Sequence, residues 1–378
     1  MDTDLRSLTM EELKLFLKSL PQGRPEFSRT TAPADGGPSS RPTDKPPLAC
    51  SSGSLLEFRA AQIFEWLHKH CAGSFDDMTN LPKVLREELK KVASIPKIKT
   101  SKKLQSSNKD AIKYLFETDK ATIIESVWMK YSYGSAVCVS TQAGCRMGCV
   151  FCASSASFSG SLPAGDICAQ VYAIQRDLNE RVSRVVFMGC GEPLDNYDNF
   201  LAALRCLNSK QGQNIGQRNM TVSTCGLVPK IYALAGEGLQ VTLAVSLHAP
   251  NDQLRQRLMP IARKYTVTEV LRACKYYGDK TKRRVTIEYA LIKDVNDSRE
   301  CARELAGKLR GAMFHVNLIP FNRVNVERGS TIAKDFLPAD KESAENFTHI
   351  LRNSGIPATL RRGLGEDVDA ACGQLRSY

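Results

Sequence analysis

Between residues 135 and 320, short apolar runs recur between stretches of helical periodicity: Ser135-Ala-Val-Cys-Val-Ser140, Val185-Val-Phe-Met-Gly189, Met220-Thr-Val-Ser223, Val241-Thr-Leu-Ala-Val-Ser246, Val285-Thr-Ile-Glu-Tyr-Ala-Leu-Ile292 and His315-Val-Asn-Leu-Ile-Pro320. Strands joined through helices cannot pair as tight hairpins, so this rhythm requires crossover connections and a parallel sheet covered by helices. Six such strands predict an α/β fold, a partial (βα)6 barrel with its functional loops at the C-terminal strand ends. No short-period repeat of the solenoid kind competes with this reading.

The rest of the chain divides around that core. Residues 1–20 carry a helix, opened by Thr9 with Glu12 three positions on as a capping box. Residues 21–54 are rich in Pro, Gly, Ser and Thr, lack periodicity, and are expected to be a disordered insertion. Arg59–His70 and Leu81–Lys90 have amphipathic spacing, which predicts a small helical docking domain over 55–105. Alternating β residues from Ala111 to Met129, with Thr118-Asp-Lys-Ala121 as the turn, predict a β-hairpin extension over 106–134. The barrel is expected over 135–357, followed by a polar, glycine-bracketed C-terminal segment, 358–378.

Lys and Arg outnumber Asp and Glu by 52 to 40, a formal +12 that favours a polyanionic partner, RNA or DNA. The basic stretches Lys97–Lys103, Lys280–Arg284 and Arg361-Arg362 read most simply as solvated faces. No apolar run approaches the ~20 residues of a membrane helix, and thirteen scattered cysteines without a signal peptide indicate a reducing compartment rather than a disulfide framework. The acidic start, Asp2 and Asp4, is unlike a transit peptide, so the expected location is the cytoplasm, with an organelle left open.

Chemistry concentrates at the strand ends. Directly after the first strand, Gly144-Cys-Arg-Met-Gly-Cys-Val-Phe-Cys152 sets Cys145, Cys149 and Cys152 in a C-x3-C-x2-C spacing. Three thiolates can ligate three irons of a four-iron cluster and leave the fourth open, which suits catalysis. A structural zinc normally needs a fourth Cys or His, and no second C-x2-C or C-x3-H follows. Gly189-Cys-Gly-Glu-Pro193, Ser223-Thr-Cys-Gly226, Ser246-Leu-His-Ala-Pro250 and Asn322 stand at successive later strand ends. Glycines there admit close backbone approach, and the polar groups suit an amino acid or ribose.

The cluster loop, with Phe151 before its last cysteine, resembles that of radical S-adenosylmethionine enzymes. Further motifs narrow the match: Val137-Cys-Val-Ser-Thr-Gln-Ala-Gly-Cys145, Phe187-Met-Gly-Cys-Gly-Glu-Pro-Leu194, Val222-Ser-Thr-Cys-Gly226, Val245-Ser-Leu-His-Ala-Pro-Asn-Asp252, Asn317-Leu-Ile-Pro320 and Asp369-Ala-Ala-Cys-Gly-Gln374. From about residue 55 to 376 the chain resembles the RlmN/Cfr family of radical RNA adenine methyltransferases.

That resemblance implies a 4Fe-4S cluster on Cys145, Cys149 and Cys152, and two S-adenosylmethionine molecules per turnover. It implies that Cys372 carries a methyl group, that Cys138 releases the covalent RNA adduct by forming a disulfide, and that Glu125 accepts a proton. Gly191, Glu192, Ser223, Ser246, Leu247, His248 and Asn322 match the family's adenosylmethionine-contacting positions. The implied substrate is adenine carbon 2 of large-subunit ribosomal RNA, with transfer RNA near the anticodon as a further candidate. The implied partners are RNA and a low-potential donor such as flavodoxin or ferredoxin, with no membrane and a monomeric chain. Methylation at carbon 8, sharing every catalytic residue named, is one alternative; a non-catalytic iron-sulfur or zinc RNA-binding protein is another. The chain departs from the family pattern at Cys190, Cys225, Leu364 and Ala153–Leu162.

Overall fold

A computed structural model describes residues 2–20, 52–323, 335–361 and 363–376. The insertion expected over 21–54 lies outside the described residues as far as 51, and from Ser52 the chain is helical. The chain forms two compact units, Met1–Lys97 with Ala202–Asn214, and Ile98–Leu201 with Ile215–Tyr378. No described helix is long and apolar enough to cross a membrane.

In the first unit, β1 (Thr3–Asp4) pairs in parallel with β2 (Ala93–Ser94), and three helices surround a small core: α1 (Met10–Ser19), α2 (Ser52–His68) and α3 (Lys83–Val92). The capping box at α1 is formed, Thr9 N–H donating to Glu12 Oε2 at 2.8 Å and Glu12 N–H to Thr9 Oγ1 at 3.4 Å. Leu5, Leu13, Leu17, Ile63, Phe64, Leu67, Leu85 and Leu89 are buried at helical spacing. The guanidinium of Arg6 is also buried, donating to the carbonyls of Ala72 and Pro96.

The helical segment expected to reach residue 105 ends earlier. Ile98–Gln105 is strand β3, which opens the second unit. Its Lys99, Lys102 and Lys103 are exposed, so no buried face imposed the alternation that would have marked it; lysines are what a sheet edge carries to discourage further pairing. β4 (Ala111–Thr118) and β5 (Ile123–Tyr131) follow as antiparallel neighbours, closed by the expected turn, with Ala121 N–H bonded to Thr118 O at 2.9 Å. They belong to the main sheet and are not a separate extension.

The chain then runs through β6 (Gly134–Cys138), β7 (Gln142–Gly144), β8 (Phe158–Ser161), α4 (Ala164–Leu178), β9 (Arg184–Phe187), α5 (Tyr197–Asn208), β10 (Met220–Thr224), α6 (Val228–Gly236), β11 (Thr242–Ser246), α7 (Asp252–Leu258), α8 (Val267–Thr281), β12 (Val285–Leu291), α9 (Arg299–Leu309), β13 (Phe314–Pro320), α10 (Lys341–Asn353) and β14 (Ala358–Leu360). The ten-stranded sheet has the order β14-β13-β12-β11-β10-β9-β6-β5-β4-β3. β6 is its seam, antiparallel to β5 and parallel to β9, and every pairing from β9 to β14 is parallel. Strands buried on both faces read as continuous apolar runs, as in Leu243-Ala-Val245, fully buried on β11. The sheet ends at β14 and β3 rather than closing, so the barrel is partial.

β14 is an addition to the expected six strands. Its three residues, at the start of the segment expected to follow the barrel, are too few to show periodicity. Register with Val316–Leu318 of β13, and the Arg352 guanidinium donating twice to Ala358 O, fix it as a further parallel strand.

Candidate active site

One cavity opens at the C-terminal ends of the parallel strands. Met188 and Gly189 line it from the end of β9, Ser223 and Thr224 from β10, Ser246 and His248 from β11, Glu288 and Ala290 from β12, Ile319 and Pro320 from β13, and Arg361 from β14. The cluster loop contributes Cys145, Cys149, Phe151, Cys152 and Ser155, and the C-terminal segment closes over it with Cys372 and Gly373.

The cluster loop is spliced between β7 and β8. Gly144 has φ 78°, and a Cβ there would lie 1.9 Å from Ser157 O, so only glycine lets the two strands pinch the loop's base. Cys145 N–H then donates to Ser157 O at 3.0 Å and Val150 N–H to Leu258 O at 3.0 Å. At Gly191 (φ 101°) a Cβ would meet Gln142 Cβ at 2.5 Å, and the resulting close approach lets Gln142 Oε1 accept Glu192 N–H at 2.9 Å.

Burial pushes the three loop thiols up, Cys145 to about 12, and at Cys149 the neighbouring thiols add to the effect. Thiols that resist ionising individually fit a cationic cluster, which binds them as thiolates and releases their protons. Among the described residues no three His, Cys, Asp or Glu side chains are grouped so as to hold a single metal ion. The three sulfurs nevertheless line one cavity, a donor set that can take three irons of a four-iron cluster.

Glu192 is 4% exposed, and burial raises its pKa against the opposing hydrogen bonds from the Leu194 N–H (3.0 Å) and Cys225 N–H (2.7 Å). His248 has φ 57° and packs edge-on against Phe151. Its Nδ1 accepts the Ala290 N–H at 2.9 Å, which leaves the neutral ring's proton on Nε2. Burial pulls its pKa down to about 3, with Arg255 adding to the effect. Arg255 itself is fully buried, its guanidinium donating to the carbonyls of Cys225, Leu247, Ser246 and Tyr265, so it pins two strand-end loops. Leu247, expected to contact adenosylmethionine, is buried outside the cavity lining, with its N–H bonded to Glu288 O and its carbonyl accepting Arg255 Nε.

Cys372 is exposed into the cavity. Asn322 Nδ2 holds its carbonyl at 3.1 Å, and Arg361 Nη1 lies 3.8 Å from its sulfur. The nearby Cys372 and Glu288 raise the Arg361 pKa, against the effect of burial. Cys138 lies outside the cavity lining, buried with Val127, Met129, Cys190 and Leu375. Burial, and secondarily the nearness of Cys372, push its thiol up to about 12. Both thiols are free, so the expected disulfide is not present. Glu125 is likewise outside the lining. It is completely buried, 2.8 Å from Lys113 Nζ, and its Oε2 accepts Arg376 N–H at 2.8 Å.

Residues 139–305 match the family model of the Radical SAM superfamily, and residues 53–95 that of the Ribosomal RNA large subunit methyltransferase N-terminal domain. A relative from Clostridium tetani, named as a probable dual-specificity RNA methyltransferase RlmN, is 49% identical over 85% of this chain and 90% of its own. The chain belongs to the RlmN family. Its member from Lachnoclostridium phytofermentans is 43% identical over 99% of this chain and 94% of its own. A radical SAM methyltransferase structure from Sphaerobacter thermophilus superposes with a TM-score of 0.83 at 39% identity, covering 99% of each chain. Membership of the RlmN family makes this chain an adenosylmethionine-dependent methyltransferase and sets aside the non-catalytic alternative.

Two cavity residues escaped the sequence reading. Arg361 follows a strand too short to leave a pattern, and instead of standing in a solvated basic face it lines the cavity, its N–H bonded to Leu318 O. Glu288 left a usable signal, a lone carboxylate inside the apolar run of β12, where a charge is rarely buried without purpose. It is 5% exposed, accepts Asn317 Nδ2 at 2.8 Å, and has its pKa raised by burial.

Proposed function

We propose that this protein methylates carbon 2 of an adenine in large-subunit ribosomal RNA, and in transfer RNA near the anticodon, by way of a methyl group carried on Cys372. The observation that carries this reading is the single cavity that joins Cys372 to Cys145, Cys149 and Cys152 and to the polar strand ends. When bound, the cluster supplies an electron, and two adenosylmethionine molecules supply first a methyl group and then a hydrogen-abstracting primary carbon radical.

Gly191, Glu192, Ser223, Ser246, His248 and Asn322 hold adenosylmethionine, and Leu247 supports them from outside the cavity through its backbone bonds to Glu288 and Arg255. Glu192 accepts the Leu194 and Cys225 N–H groups and also meets the Cys225 and Thr224 side chains, whose hydrogen bonds an incoming ammonium would replace. The Cys372 sulfur attacks the methyl group, with Arg361 offering charge complementarity at that sulfur. The thioether methyl then loses a hydrogen atom, its carbon bonds to adenine carbon 2, which has no lone pair for polar transfer, and the odd electron left on the ring would pass back to the bound cluster. Glu125 takes the ring proton after Arg376 N–H has released Oε2. Cys138 gives up its proton and attacks the Cys372 sulfur, breaking the sulfur's bond to carbon; a disulfide forms, the carbon takes up that proton to become the methyl group, the methylated base leaves, and a thiol donor later reduces the disulfide. The burial of Cys138 and Glu125 beneath the C-terminal segment means that this segment has to shift during the cycle. The protein works as a cytoplasmic monomer fed by flavodoxin or ferredoxin.

Nucleoside analysis of RNA from cells with and without the gene tests the reading. Loss of 2-methyladenosine supports it, loss of 8-methyladenosine instead shifts the reaction to the alternative ring carbon, and no change in either overturns it.

A further inference from the structure

Beside the cluster loop, Arg146, Met147, Pro260, Ile261, Arg263 and Lys264 line an open depression. Met147 also lines the active-site cavity, whereas neither Cys372 nor any other described residue of the C-terminal segment reaches this depression. From Gln253 to Lys264 the chain carries no Asp or Glu and four cations. Arg255 is turned inward, but Arg257, Arg263 and Lys264 are exposed. Arg146 is partly exposed and is balanced by Asp195 at 2.9 Å, so the surface is left with net positive charge.

This basic segment is fastened to the cluster loop. Val150 N–H bonds Leu258 O, and Met147, Val150 and Ile261 pack with Leu258 and Met259 in one apolar cluster. A body seated in the depression is therefore separated from Cys145 and Cys149 only by the loop that carries them. An apolar floor of Met147, Pro260 and Ile261 rimmed by cations matches a small, transient electron-transfer contact, in which complementary charge sets the encounter rate.

We propose that this depression is the docking surface for an acidic one-electron carrier protein that reduces the iron-sulfur centre. RNA is the less suited occupant, because a target base has to reach Cys372 and no described residue of the segment that carries it lines this depression. One electron leaves the carrier and enters the centre, and no covalent bond forms. The inference rests on the radical chemistry proposed above.

The test uses the full chain and recombinant flavodoxin as the acidic carrier. Binding of oxidised flavodoxin, which needs no electron transfer, is measured by titration at low and high salt for the parent protein and for the double variant Arg263→Glu, Lys264→Glu. Affinity is expected to fall with salt and to drop about tenfold or more in the variant. In stopped flow, the variant slows bleaching of the reconstituted centre by reduced flavodoxin and leaves dithionite reduction unchanged. Equal flavodoxin binding by parent and variant overturns the proposal. So does equal slowing with dithionite, which means a damaged loop, or lost RNA affinity with carrier binding intact, which makes this an RNA surface. Failure of dithionite to reduce the parent protein, or to yield 5′-deoxyadenosine, overturns the radical reading instead, and the binding titration still decides the docking surface.

Discussion

The two sides of the cavity are built in different ways. The strand-end side, from Met188 to Pro320, is fixed by parallel register, the β12 to β13 pairing alone running over Val285–Leu291. The C-terminal side, residues 365–376, has one three-residue helical turn and is held by separate bonds: Lys113 Nζ to Asp369 O (3.0 Å), Ala153 N–H to Gly373 O (2.8 Å), Ser154 Oγ to Leu375 O (2.7 Å), Asn322 Nδ2 to Cys372 O, and Arg376 N–H to Glu125 Oε2. A surface set by sheet register has one position. A segment tied by single bonds of about 1 kcal/mol each can lift without unfolding the sheet. That division suits a cofactor that has to stay put and a sulfur that has to meet a methyl donor, a base and a second thiol in turn.

The largest effect comes from breaking either side at its cysteine, and the losses differ in kind. Cys149→Ala should lose iron and, with it, reductive formation of 5′-deoxyadenosine. Cys372→Ala should keep the iron and bind adenosylmethionine but form no methylated protein and no methylated RNA, as read by mass spectrometry. If Cys372→Ala also loses iron, the two sides are one structural unit and the comparison fails.

Next is the buried pair beneath the C-terminal segment. Lys113 and Glu125 are 3% and 0% exposed, so Lys113→Met leaves a buried carboxylate without its cation and should cost about 3–5 kcal/mol in urea unfolding. The double variant Lys113→Met, Glu125→Gln should recover much of that stability, because an amide needs no counter-charge. Limited proteolysis should find the C-terminal segment cut faster in the single variant. No recovery in the double variant would mean that Lys113 acts through Asp369 O alone.

The same contrast explains what could be read from the sequence. Strand-end residues such as Glu192, Ser223 and His248 follow apolar runs whose alternation with helices is forced by burial, so the fold and the residues that line the cavity at its strand ends were legible. The cluster cysteines announced themselves by spacing. β3 and β14 did not show, because an exposed lysine-rich edge and a three-residue strand leave no periodic pattern. Arg361 went unseen for the same reason, since its role depends on β14. Lys113 lay within a recognised strand, but its pairing with Glu125 runs across the sheet and its bond to Asp369 O spans the chain, a contact no local pattern encodes.

Arg361 stands where the two sides meet, on a strand end yet 3.8 Å from the Cys372 sulfur. Arg361→Met should slow methylation of Cys372 about tenfold or more, the loss of one charge-assisted contact, and leave iron content unchanged. Arg361→Lys keeps the charge and should lose less. A time course of the methyl mass on Cys372 measures this. Equal loss in both variants would assign Arg361 to packing β14 rather than to the sulfur.

A further test lies on the strand-end side and is read by pH. The His248 pKa is held down at about 3, against an ordinary value of 6.5. Above 6.5 the ring is neutral folded and unfolded, and its stabilising contribution is fully present. As pH falls from 6.5 toward 3, the unfolded chain takes up a proton that the folded site refuses, so stability declines by up to about 1.4 kcal/mol per pH unit from this group. Below 3 both states are protonated and the decline stops. Buried His68 in the first unit has the same depression and should leave a residual slope. In His248→Gln an amide oxygen can still accept the Ala290 N–H and does not titrate, so the acid slope of urea stability should be shallower than in the parent. If the slopes are equal, acid acts first on the more loosely tied C-terminal segment or the first unit, and the strand-end side is even more rigid than its hydrogen bonds require.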